Sequence, residues 1–95
     1  MASTIDEITI NYEENGVLLV KELDKSVLTK GAWTTILFRY TQWDNKIEDY
    51  GPIRYTIRRY RKIGSDYRPQ SKFNISSTKQ ANQIVETLTQ WTALD

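Results

Sequence analysis

An α+β fold is predicted: a four-stranded antiparallel sheet followed by one C-terminal helix, with residues 1–16 as a further hairpin strand or an acidic arm. Three observations predict it. Residues 33–43 and 53–62 alternate apolar and polar side chains with the period of two that a strand imposes. Residues 77–91 repeat their apolar side chains at helical intervals. Short clusters of Gly, Asn, Asp and Ser separate the segments, as turns require.

The elements follow in chain order. Ile8, Ile10 and Tyr12 alternate with Thr9 and Asn11, and Asn15-Gly16 then leads into Val17-Leu18-Leu19-Val20. Asn-Gly between two such runs is a strong hairpin signal. The acids at Glu13 and Glu14 leave a loosely held N-terminal arm as the other reading. Residues 17–28 read as strand, bent near Asp24-Lys25-Ser26, and Thr29-Lys30-Gly31 as a turn. In residues 33–43 the row Thr34, Ile36, Phe38 and Tyr40 is the better core. The opposite row carries Trp33, Arg39 and Trp43. Large aromatics most often pack in cores or at sheet edges. Trp33, beside a turn, reads as structural, whereas Trp43, beside the polar loop 44–52, is the better stacking candidate.

Residues 53–62 are the centre of the chain. Ile53, Tyr55 and Ile57 point one way and are expected on the core; Arg54, Thr56, Arg58, Tyr60 and Lys62 point the other. A cationic face interleaved with rings suits single-stranded nucleic acid. A solvated edge strand whose charges oppose aggregation gives the same pattern. Gly64-Ser65-Asp66 is a turn, and the last strand, residues 68–75, is expected to put Ser71, Phe73 and Ile75 on the core and Lys72 and Asn74 outside. Ser77 and Gln80 have the spacing of a capping box. Ala81, Ile84, Val85, Leu88 and Trp91 form one stripe, expected to cover the apolar side of the sheet. Ser76, Ser77 and Lys79 at the helix start suit either a bound phosphate or simple capping.

Ninety-five residues make one small domain, read as residues 17–95, and a dimer interface helps such a chain bury enough apolar surface. The net charge of +1 conceals a segregation. Residues 1–24 carry six acids against Lys21 alone, and residues 53–79 carry eight bases against Asp66 alone. Such asymmetry points to a polyanion-binding surface. The chain has no cysteine and no histidine, which removes disulfides, thiolate or imidazole nucleophiles and the commonest transition-metal ligands. No cofactor, metal or small-molecule substrate is expected. The longest apolar run, residues 17–20, is too short to span a bilayer and no charged-then-apolar leader opens the chain, so no membrane association and a cytoplasmic location are expected. Asp44, Glu48 and Asp49 cluster in a loop with no apolar pocket to tune an acid or base, which argues against an enzyme.

The strand order, the basic third strand and the capped helix resemble the single-stranded DNA-binding domain of positive-cofactor-four type transcriptional coactivators and their small bacterial relatives. Ile57-Arg58-Arg59-Tyr60 is similar to the family's isoleucine-arginine-acid-tyrosine run. Ser71-Lys72-Phe73-Asn74-Ile75-Ser76 is similar to the run preceding its helix, and Ala32-Trp33 and Trp43-Asp44 resemble the bacterial members. The resemblance implies a homodimer that cradles single strands on the concave face of a curved sheet, in transcription, replication or repair. By matching position it nominates Arg58 and Lys72 for the nucleic-acid backbone and Tyr40 or Trp43 for stacking a base. With the pattern of the strands, the expected interface is Arg39, Tyr40, Trp43, Arg54, Arg58, Tyr60, Lys62 and Lys72. Two departures are visible: Arg61 stands where the coactivators have tryptophan, and the acidic N-terminal stretch is placed to shield the basic face. The alternative reading is a protein-interaction module that meets an acidic partner with that same face.

Overall fold

The structure, a computed structural model, describes residues 2–95. After a single 3₁₀ turn at Ile5–Glu7 the elements are β1 (Tyr12–Glu14), β2 (Val17–Thr29), β3 (Trp33–Asp44), β4 (Asp49–Tyr50), β5 (Arg54–Ile63), β6 (Asp66–Ile75) and α1 (Thr78–Thr92). All pairings are antiparallel, in the order β1-β2-β3-β5-β6, with the short β4 returning along the end of β3. The fold is therefore α+β, a curled antiparallel sheet and one C-terminal helix, with six strands where four and a further N-terminal hairpin strand or arm were expected; β1 is that hairpin strand and β4 the addition.

Turn chemistry accounts for the hairpins. Asn15 and Gly16 both have positive φ, 52° and 79°, which is the requirement of a type I′ turn joining β1 to β2. A break in the β2–β3 register between Glu22 and Asp24 marks a bulge beside the segment where a bend is expected. Ser77 caps α1 as expected, its hydroxyl accepting from the Gln80 N–H at 3.1 Å. The Gln80 side chain reaches back one residue further, accepting from the Ser76 N–H at 2.8 Å.

The core lies on one sheet face. Thr34, Ile36, Phe38 and Tyr40 of β3 are buried there, as their alternation predicts. The β3–β5 register sets Tyr60 opposite Thr34, Arg58 opposite Ile36, Thr56 opposite Phe38 and Arg54 opposite Tyr40. Directly paired residues share a face. Thr56 and Tyr60 are consequently buried, and the expected order of the two β5 faces is reversed. The reason is tertiary. Residues preceding β1 cross this face as an arm, and Ile8 and Ile10 pack with Ile36, Phe38, Tyr40 and Tyr60.

The arm is held by polar contacts as well. Lys25 Nζ donates to the carbonyls of Ile5 (3.0 Å), Asp6 (3.1 Å) and Ile8 (2.8 Å). Glu22 accepts from the Thr9 hydroxyl (2.8 Å) and the Ile10 N–H (3.3 Å), while its own N–H donates to Asn11 Oδ1 (2.7 Å). These contacts satisfy backbone groups that have no strand partner.

The other face is open. It carries Leu37, Tyr55 and Ile57, all half-buried, and Phe73, which is exposed rather than in the expected core; Ile75 is buried. Nor does α1 cover the sheet. It meets β5 and β6 near its start, where Tyr55 Oη and Thr78 Oγ1 lie 3.5 Å apart, and leaves Leu88 50% and Trp91 61% exposed. The expected helix–sheet core at Leu88 is absent within one chain. The flat shape agrees: a radius of gyration of 15.2 Å exceeds the roughly 12–13 Å expected of a compact domain this long.

Candidate nucleic-acid interface

The expected site residues divide between the two faces. Tyr40, Arg54, Arg58, Tyr60, Lys62 and Lys72 belong to the arm-side face by strand alternation and register, whereas Arg39 and Trp43 belong to the open face. On the arm side Tyr40 and Tyr60 are buried beneath Ile8 and Ile10, so neither ring is available to a base while the arm is in place. The cations remain. Lys72 lies directly opposite Arg58 across β5 and β6, and Arg54 is one strand-repeat further along beyond Thr56.

Arg58 is also aimed. Its Nε donates to Thr56 Oγ1 at 3.3 Å, and that hydroxyl donates to Asn74 Oδ1 at 2.8 Å. The chain Arg58–Thr56–Asn74 thus orients the guanidinium from beneath and leaves its terminal nitrogens for a ligand. Two like charges directly opposed across a ladder destabilise the sheet. An anion bound between them removes that repulsion and adds charge-assisted hydrogen bonds.

Lys62 and Trp43 are engaged elsewhere. Lys62 Nζ sits 5.6 Å from the centroid of Tyr67, whose N–H donates to the Ala2 carbonyl. Trp43 donates from Nε1 to Asn45 Oδ1 (2.8 Å) and meets Tyr50 edge-on at 5.3 Å. Tyr50 is anchored in turn by donating to the Leu18 carbonyl at 3.0 Å. Trp43 thereby stiffens the β3–β4 corner.

No protein-family model, curated protein or solved structure matches the chain.

A group that the alternation did not single out lies on the open face. Trp33 is 42% exposed, with the guanidinium carbons of Arg59 and Arg61 at 4.5 Å and 5.3 Å from its ring centroid. Arg61 pairs directly with Trp33 on one side and with Arg68 on the other. The available signal was that Trp33, Arg59 and Arg61 all occupy odd positions. Bringing them together requires the β3–β5 register.

Burial pushes the Tyr60 phenol above its ordinary value near 10; Arg58's charge opposes the shift and Glu22's adds to it. A raised phenol favours the neutral form in the folded state. Its contribution to stability is complete below the unfolded value near 10 and is lost as pH rises through the folded one. Tyr60 is expected to ionise above the ordinary phenol range in a 295 nm titration of the folded protein. Tyr60→Phe should remove that late step; a titration curve unchanged in its alkaline limb would mean that the ring is not buried in solution.

Proposed function

We propose that the chain binds single-stranded nucleic acid without catalysing a reaction on it, as a homodimer in the cytoplasm, in transcription, replication or repair. The opposed pair Arg58 and Lys72, with Arg54 on the same face, carries this reading. A row of cations spaced along adjacent strands follows a phosphate backbone, and an unpaired strand is flexible enough to lie along a curled sheet. The eight-to-one excess of bases over acids in residues 53–79 supports it, as does the resemblance to positive-cofactor-four type domains. Burial of Tyr40 and Tyr60 favours the second reading, in which the same cations meet an acidic protein surface and no base is stacked on this face.

Salt dependence tests the proposal. With about 0.7 of slope per neutralised phosphate, three or four contacts give a slope of log K on log salt of roughly −2 to −3 for oligo-dT. Arg58→Ala and Lys72→Ala should each weaken binding similarly for all base sequences and make the slope shallower by about one contact. An acidic peptide that outcompetes oligo-dT, with both variants binding oligo-dT like the parent, transfers the site to the protein-interaction reading.

A further inference from the structure

We propose that Trp33, with Arg59, Arg61 and Arg68, forms a second nucleic-acid site on the open face, which stacks one unpaired base and holds its flanking phosphate. The inference rests on the reading that the chain binds single strands, but uses residues that reading does not. Trp33 is 42% exposed at the start of β3, a position where a ring can be approached from solvent. Its backbone is held on both sides: the Lys62 N–H donates to the Ala32 carbonyl at 2.8 Å, and Thr34 Oγ1 donates to the Gly31 carbonyl at 3.1 Å. The ring therefore stands on a rigid strand pair rather than on a loop, which limits the ordering cost of binding.

The charged side chains nearest it are cationic, and the one acid of β5 and β6, Asp66, stands opposite Ile63, a strand repeat beyond Arg68. Arg59 and Arg61 lie within 4.5 Å and 5.3 Å of the ring centroid, and Arg61 is directly opposite Arg68. Packing alone explains one guanidinium on an indole, because the cation is attracted to the ring's negative face. It does not explain a third arginine set directly against the second, with Asp66 a strand repeat away rather than opposite either of them. A nucleotide of a single strand supplies both missing parts, a flat base for the indole and a phosphate for the guanidiniums. Duplex offers the phosphate without a free ring face.

The direct test is 19F NMR of the protein labelled with 5-fluorotryptophan, which reports Trp33, Trp43 and Trp91 without altering the sequence; Trp33→Phe assigns the resonance. Oligo-dT should shift or broaden the Trp33 signal, and an abasic phosphodiester oligomer of the same length should leave it nearly still. In anisotropy titrations Trp33→Ala should lower affinity for oligo-dT about 5- to 150-fold, the range for one lost stacked base, without changing the salt slope. Arg61→Ala should instead make the slope shallower. If oligo-dT binds with Arg58-dependent affinity while the Trp33 resonance stays unmoved, the second site is refuted and the arm-side reading survives. If labelled oligo-dT does not bind at all, both fall together.

Discussion

Phe38→Ala is expected to cost about 3–5 kcal/mol of stability, the range for deleting a fully buried phenyl ring. A chain of this length has only about 5–14 kcal/mol in total, at roughly 0.05–0.15 kcal/mol per residue. The variant should therefore be largely unfolded well below the denaturant concentration that unfolds the parent. The site leaves little room for relaxation. Phe38 and Ile36 are completely buried, Thr56 faces Phe38 from β5 and Lys25 from β2, and Ile8 and Ile10 close the layer from above. The lost ring would leave a cavity beneath an arm already tied down by Lys25 and Glu22. Phe73→Ala is the control, because Phe73 is exposed on the other face and should shift the urea midpoint much less in the monomer. Equal shifts for the two variants would show that the buried face has been misassigned.

The contrast between those two phenylalanines also explains what was legible in the sequence. The β3 row was legible because Arg39 breaks the opposite row and the choice of core face follows. Local signals at the Asn15-Gly16 turn and the Ser77 cap were legible because their partners are within a few residues. The faces of β5 were not. Ile53, Tyr55 and Ile57 are more apolar than Arg54, Thr56, Arg58 and Tyr60, so composition selects the first set for the core. Burial follows the cross-strand partner instead: Thr56 lies opposite Phe38 and Tyr60 opposite Thr34. The arm then covers that side with two isoleucines that precede the hairpin. Neither the register nor the path of the arm is encoded in the alternation of β5 itself. The site inherited the same error at Tyr60, which reads as solvent-facing; Tyr40 reads as core and is nominated for stacking only through the resemblance, whereas Trp33, set aside as structural, emerged beside two arginines.

Leu88→Asp is expected to leave each chain folded and to convert the proposed homodimer to monomers, raising the dimer dissociation constant by 100-fold or more. In a single chain Leu88 is half-exposed and Trp91 more so, so an aspartate at 88 buries no charge in the monomer. A helix of 15 residues is marginal by itself in water. Here only its first turns have the cap and the β5–β6 contact to steady it. Ile84, Leu88 and Trp91 line one shallow groove on the helix, and Leu37 and Tyr55 line another on the open sheet face. Two symmetry-related copies that exchange these surfaces cover both, and the self-complementary arrangement is the commonest closed one for homodimers. The interface must bury on the order of 1,200 Å² or more to be stable. Half-exposed apolar side chains on both elements supply the material for it. A carboxylate at the centre of that contact would have to be desolvated without a partner, at a cost of several kcal/mol, each 1.4 kcal/mol being tenfold in affinity. Sedimentation equilibrium at micromolar concentration should give twice the chain mass for the parent and the chain mass for the variant, with the sheet signal in circular dichroism retained. A parent that sediments as a monomer would leave the stripe without a second copy to cover it. A variant that loses its sheet as a monomer would return Leu88 to the intrachain core from which the structure removes it.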